Sequence, residues 1–276
     1  MQVAGKTAIV TGGGNGIGAA IAAALADGGA RVVVADMDTE AAQRVTAAIN
    51  AEHPRAAVHQ GGDAADPADI AALIELADLQ FGSVDMYFAN AGIAGPVGFE
   101  DLTGADWDRV IDVNLRAHIR AATQLVPRWT EGAGGYFVST ASAAGLLTQI
   151  GSAGYSVTKH AAVGFAEWLS VTYGDRGVKV SCLCPMGVDT KLLSAGFDAD
   201  DRLGRTAARA VTTAGEVLTP ERVAEVVLEA VADERFLILP HPQVLEMYQH
   251  KGSDYDRWLS GMRRYQASLL AADSSD

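Results

Sequence analysis

A doubly wound α/β fold, in which helices cover both faces of a parallel sheet, follows from three observations. Short apolar, β-branched runs alternate with segments of helical pattern through most of the chain. The first run, Lys6-Thr7-Ala8-Ile9-Val10-Thr11, ends in a glycine cluster, Gly12-Gly13-Gly14-Asn15-Gly16-Ile17-Gly18, followed by an alanine-rich stretch of high helix propensity. The second run, Arg31-Val32-Val33-Val34-Ala35-Asp36, ends in a carboxylate eighteen residues after Gly18. A strand, a glycine turn and a helix aim backbone N–H groups and a helix N-terminus at a phosphate. An acid closing the second strand is placed to bond ribose hydroxyls.

The remaining elements follow in turn. A helix is expected near 38–52, a strand near 55–61, a helix near 67–81 and a strand at 84–88. One long helix near 106–130 leads to a strand at 135–139, then a helix at about 152–174 and a strand near 178–183. Residues 190–218 break the rhythm and read as a lid at the mouth of the crevice. Thr219 then Pro220 are an N-cap and a first-turn proline, and 236–239 is a final apolar strand. Beyond it Val244, Met247, Tyr248, Trp258, Leu259, Met262, Tyr265, Leu269 and Leu270 form a roughly helical apolar stripe. The expected organisation is one catalytic domain over residues 1–240, with a helical extension over 241–276. That extension packs either on its own domain or on a neighbouring subunit.

The chain has 276 residues and a formal charge of −13, which disfavours nucleic acid and anionic membranes as partners. No stretch has the pattern of a signal peptide, and no apolar run approaches the roughly 20 residues of a membrane span. A cytoplasmic location is expected. The two cysteines, Cys182 and Cys184, are too few for a zinc site and stand at i and i+2 on one strand face, so buried thiols and no metal are expected.

Tyr155 and Lys159 stand four apart, hence on one helix face, and Ser142 lies thirteen residues before Tyr155, just past the 135–139 strand. A free phenol titrates near 10 and is a poor base at neutral pH. A neighbouring ammonium favours the phenolate, so the expectation is a lowered Tyr155 pKa and a usable proton donor and acceptor. Ligands of open parallel sheets sit beyond the strand C-termini, where Gly12, Asp36, Asn90, Ser142 and Pro185 all fall.

The glycine turn from Thr11 to Gly18, with Asp36, Asp63, Asn90-Ala91-Gly92, Asn114, Ser142, Tyr155, Lys159 and residues 185–190, resembles the short-chain dehydrogenase/reductase family in its single-domain branch. The likeness spans roughly residues 5–195 and is weaker to about residue 240. It implies a Rossmann-type, seven-stranded sheet in the order 3-2-1-4-5-6-7 and hydride transfer between a carbinol carbon and a nicotinamide. Carried over residue by residue, Tyr155 is the general acid/base and Lys159 sets its pKa and holds the nicotinamide ribose. Ser142 orients the substrate oxygen, and Asn114 holds a water linking Lys159 to solvent. Cofactor contacts are implied for Gly12, Asn15, Gly16, Ile17, Gly18, Asp36, Met37, Asp63, Ala64, Asn90, Ala91, Gly92, Pro185, Gly187, Val188 and Thr190. With Asp36 repelling a 2′-phosphate and no Lys or Arg in the glycine turn, NAD is expected over NADP.

Three positions depart from the family pattern: Ala89 and Ser181 stand where asparagine is common, and Met186 where glycine is usual. Met186 is expected to line and narrow the pocket floor. The candidate pocket residues Ala94, Gly95, Ala143, Ala144, Gln149, Met186, Leu192, Leu193 and Phe197 are small or uncharged, which favours a neutral hydrophobic secondary alcohol or its ketone. A sugar-nucleotide epimerase or dehydratase, and a non-catalytic NAD-binding scaffold, are the competing readings. A homo-oligomer, dimer or tetramer, is implied by the resemblance, with the two long helices pairing across a two-fold axis.

Overall fold

The computed structural model describes residues 1–197 and 202–272. Its strands are β1 (Thr7–Thr11), β2 (Arg31–Asp36), β3 (Ala57–Gly61), β4 (Met86–Ala89), β5 (Gly135–Thr140), β6 (Val178–Leu183) and β7 (Leu237–Ile238). They form one parallel sheet in the order β3-β2-β1-β4-β5-β6-β7. Consecutive strand residues point to opposite faces, and both faces are covered, which is why these strands read as continuous apolar runs. Ile9, Val33, Tyr87 and Phe137 enter one core beneath α3 (Pro67–Gln80), α5 (Ala117–Glu131) and α7 (Ala153–Tyr173). Val10, Val32, Val34 and Phe88 enter the other, beneath α1 (Gly16–Asp27), α2 (Thr39–Glu52) and α10 (Pro220–Ala232). Cys182 and Cys184 are free, buried and on the same face, as expected.

Local chemistry sets the helix starts. Asp38 and Asp66 accept backbone N–H bonds at the starts of α2 and α3, and Thr219 caps α10 through Arg222 N at 3.2 Å, with Pro220 following. The single helix expected near 106–130 is instead α4 (Gly104–Ile111), a π-helical turn at Asp112–Arg116, and α5. Such turns have no propensity signature and occur often at functional sites. The strand placed at 84–88 lies at Met86–Ala89, and the final strand shrinks to Leu237–Ile238.

The segment read as an irregular lid contains α8 (Lys191–Phe197) and α9 (Arg202–Thr213). The apolar stripe of the tail is carried by two helices, α11 (Gln243–Ser253) and α12 (Tyr255–Ala272). These pack on their own chain: Val244 is buried in the first core, and Leu269 joins Ile150 and Ala210 in a small satellite core. No helix among the described residues is long and apolar enough to cross a membrane.

Candidate active site

The glycine turn stands at the C-terminal end of β1 and is built for close approach. Gly12 and Gly16 have φ of +62° and +51°, a region that side chains resist. A Cβ on Gly18 would come within 2.2 Å of the Gly12 carbonyl, and one on Gly14 within 2.9 Å of Asp36 Oδ2. Asp36 binds this turn directly, accepting from Gly14 N at 2.9 Å and from Asp38 N at 3.0 Å. Met37 beside it is 70 % exposed. On the far side of the turn, Thr190 lies over Gly16, its methyl 2.9 Å from where a Cβ would stand. A glycine-rich cradle at a helix N-terminus, closed by a carboxylate and a threonine, fits a dinucleotide.

The side chain of Asn90 joins two strand ends beside the glycine turn. Its amide nitrogen donates to Thr11 O at 3.0 Å and its oxygen accepts from Thr140 Oγ1 at 3.2 Å, so the side chain ties β1 to the end of β5. Thr11 Oγ1 in turn accepts from Asn90 N and Ala91 N. With these bonds in place, Ala89 is tolerated as a buried strand residue. Asp63 Oδ1 accepts from Ala65 N at 2.8 Å, and Asp63 and Ala64 stand half-buried just past the end of β3.

The proposed proton-handling residues converge past β5. Lys159 is 3 % exposed, its Nζ lies 5.6 Å from the centre of the Tyr155 ring, and it donates to Thr140 O at 2.9 Å. Ser142 Oγ accepts from Ala144 N at 3.1 Å and reaches Pro185 O at 3.4 Å. Asn114, inside the π-helical turn, accepts from Ile93 N at 2.8 Å and donates to Ile93 O at 2.9 Å and Thr158 Oγ1 at 3.2 Å. A Cβ on Gly92 would stand 3.4 Å from both Asn114 Oδ1 and Lys159 Nζ, which places this glycine beside both side chains.

The electrostatics correct one expectation. Burial pushes the Tyr155 phenol above its usual 10, and the Ser142 hydroxyl pulls only partly against it. Burial acts on the neighbouring Lys159 ammonium too, bringing it down to about 8. Behind them His118 is fully buried and, with Lys159 adding to the effect of burial, is pushed down to about 3. His118 Nδ1 lies 2.9 Å from Ser139 Oγ, while Nε2 has no partner.

The candidate pocket residues divide. Ala94 and Leu192 are exposed and Gly95 and Leu193 half-buried, whereas Ala143 and Ala144 are buried in the turn after Ser142. Gln149 Nε2 bonds Ala207 O at 3.2 Å, tying the loop before α7 to α9. Met186 turns its sulfur toward Gln243 Nε2, 3.8 Å away, and its thioether lies beside Gly215, 3.7 Å from where a Cβ there would stand. The side chain of Phe197 lies outside the described residues. Gly187 lies against Val211 and Val217, and Val188 bridges to Leu218. No cluster of metal-ligating side chains occurs among the described residues.

The family profile described as short chain dehydrogenase matches residues 6–201. The chain belongs to this family. It is similar to the cyclohexanol dehydrogenase of Acinetobacter sp. (strain SE19), 35 % identical over 242 residues that cover 87 % of this chain and 93 % of that protein. The cis-4-hydroxycyclohexanecarboxylate dehydrogenase of Sinomonas cyclohexanicum is 34 % identical over 229 residues, covering 83 % and 90 %. Among solved structures, a short chain dehydrogenase/reductase from Burkholderia phymatum in complex with NAD superposes with a TM-score of 0.84 at 30 % identity, covering 93 % of this chain and 96 % of that one. This short-chain dehydrogenase is therefore an oxidoreductase with a Rossmann-type fold.

Several residues that hold this dehydrogenase's site together were not legible beforehand. Thr140, Thr158 and Thr11 act through a carbonyl or a hydroxyl that any strand or helix threonine carries. His118 reads as one of six scattered histidines, and only the fold puts it behind Lys159.

Proposed function

We propose that this dehydrogenase interconverts a hydrophobic, cyclic secondary alcohol and its ketone with NAD(H), using Tyr155 as the general acid/base. The observation that carries this reading is the convergence of Tyr155, Ser142 and the buried Lys159 beside the glycine cradle. Bound nicotinamide would supply the hydride acceptor in oxidation and the donor in reduction. The cradle of Gly12, Asn15, Gly16, Ile17 and Gly18 would hold the pyrophosphate, with Asp36 on the adenosine ribose and Met37, Asp63 and Ala64 around the adenine. Asn90, Ala91 and Gly92 would line the dinucleotide's path, and Pro185, Gly187, Val188 and Thr190 would meet the carboxamide end. Preference for NAD over NADP rests on the Asp36 carboxylate bonded into the turn.

In oxidation Tyr155 Oη takes the alcohol proton while Ser142 Oγ holds the oxygen. In reduction the same hydroxyl returns the proton. A phenol with a raised pKa is a proton donor suited to the reductive direction, and a cationic nicotinamide nearby would favour the phenolate needed for oxidation. Lys159 contributes positive charge and a grip on the ribose. Asn114 fixes the 90–93 segment and would present its remaining lone pair to a relay water.

The substrate class rests on the uncharged rim of Ala94, Gln149, Leu192 and Leu193. The relatives named for cyclohexanol and a hydroxycyclohexane agree with it. Assembly as a dimer or tetramer is supported by an exposed apolar stripe on α7, where Val157, Trp168 and Val171 share one face beside Ile119 of α5. The test is a screen of cyclic, aryl and acyclic alcohols and ketones against both cofactors. Turnover of cyclohexanol-type substrates with NAD supports the proposal, and turnover with NADP alone overturns the cofactor assignment.

A further inference from the structure

The C-terminal extension carries a lysine buried against the turn that follows Ser142. Lys251, near the end of α11, is 5 % exposed, and its Nζ donates to Leu146 O at 2.6 Å. Leu146 belongs to α6 (Ala144–Leu147), a single turn with carbonyls left over at its end. The same ammonium stands 3.4 Å from His160 Nε2 and 5.3 Å from the centre of the Tyr255 ring. His160 Nδ1 lies 2.8 Å from Ser156 O, a carbonyl that can only accept, so Nδ1 bears the proton and Nε2 is left as an acceptor for Lys251. One cation thus joins the extension to the Ser142 turn and to the residue next to Lys159.

That turn is strained at its exit. Thr148 has φ 78° and ψ 146°, a conformation that costs a non-glycine residue free energy and persists only where its surroundings hold it. Its N–H bonds Ala144 O, and the next residue is fixed by Gln149 N to Ser156 Oγ at 2.9 Å. Across a groove of about 180 Å³, the Leu147–Gly151 loop faces Trp258, Leu259 and Met262 of α12.

We propose that Lys251 is a positioning residue: by holding the Leu146 carbonyl and His160 together it fixes the α6 turn, and through Ala144 N it fixes the Ser142 hydroxyl. The extension is then a working part of its own subunit's active site. This rests on the reading of Ser142 and Tyr155 given above, and the experiment separates the two.

Amide exchange over residues 143–149 and steady-state turnover of cyclohexanol with NAD are measured for the intact protein and for Lys251→Met, Lys251→Arg, Tyr265→Phe and Tyr155→Phe. Tyr265→Phe is the control for general loosening of the extension, because its hydroxyl bonds Thr213 and Ala210 of α9 and not the α6 turn. In Lys251→Met, exchange at 143–149 is expected to rise about tenfold and kcat to fall about tenfold, with KM for NAD unchanged. Lys251→Arg restores most of both, and Tyr265→Phe moves neither. Unchanged exchange at 143–149 in Lys251→Met overturns the proposal whether or not cyclohexanol is turned over. Equal effects from Tyr265→Phe also overturn it, since the cause would be undocking of the extension. Full activity in Tyr155→Phe overturns the catalytic reading and leaves the exchange result to decide the role of Lys251 in ordering the turn.

Discussion

Lys159 Nζ donates to Thr140 O at 2.9 Å, so the helix that carries Tyr155 is joined to the last residue of the strand that leads to Ser142. The bond ties a charged group into a buried site and keeps the ammonium's remaining protons near the space above Gly92. Burial dominates its titration, which gives the first prediction. The Lys159 side chain should titrate near 8, followed through its ε-carbon resonance and assigned by loss of that signal in Lys159→Arg. A midpoint at 10.5 or above contradicts the burial and the placement together.

His118 predicts an acid limb of stability. Its folded pKa, about 3, lies below the ordinary 6.5 of the unfolded chain. Below 6.5 the unfolded state takes a proton that the folded state refuses, so stability is retained above that pH and lost as pH falls toward 3. The slope from this one group is about 1.4 kcal/mol per pH unit. Urea unfolding at pH 7, 6 and 5 should show a flatter dependence in His118→Asn than in the parent chain, and parallel dependences contradict the assignment.

Asn114 is satisfied on both ends of its amide by Ile93 and Thr158. Asn114→Leu leaves the Ile93 N–H and C=O without partners and should destabilise by about 1–3 kcal/mol, measured by denaturant unfolding. An unchanged midpoint would show that the 90–93 segment does not depend on this side chain.

Asp36 predicts the cofactor. Removing the carboxylate in Asp36→Ser should raise the ratio of NADP to NAD activity by at least tenfold, as charge repulsion of a 2′-phosphate is relieved. A ratio that does not move places the selectivity elsewhere.

The fold was legible because its strands are buried on both faces and its glycine turn has one mechanical purpose. The nearness of Tyr155, Lys159 and Ser142 follows from spacing along a helix and from the place of Ser142 past a strand end. What could not be read were interactions fixed only by tertiary packing. The π-helical turn around Asn114 has no residue signature, and Thr140 O is a backbone atom. The bonds of the Asn90 side chain to Thr11 and Thr140 join residues 79 and 50 positions away, and no local pattern announces them. The contact of the Met186 sulfur with Gln243 joins the loop after β6 to the C-terminal tail, where the family pattern gives no guide. At Tyr155 burial, which periodicity does not quantify, sets the direction of the shift, with the Ser142 hydroxyl pulling against it.

The most direct measurement is the rate of NADH formation from cyclohexanol in the parent chain and in Tyr155→Phe, with NAD binding followed alongside. Loss of turnover by a factor of about 10²–10⁴ with NAD affinity retained is the predicted result. Turnover in Tyr155→Phe within a few-fold of the parent would contradict the assignment of Tyr155 as the proton-transferring group.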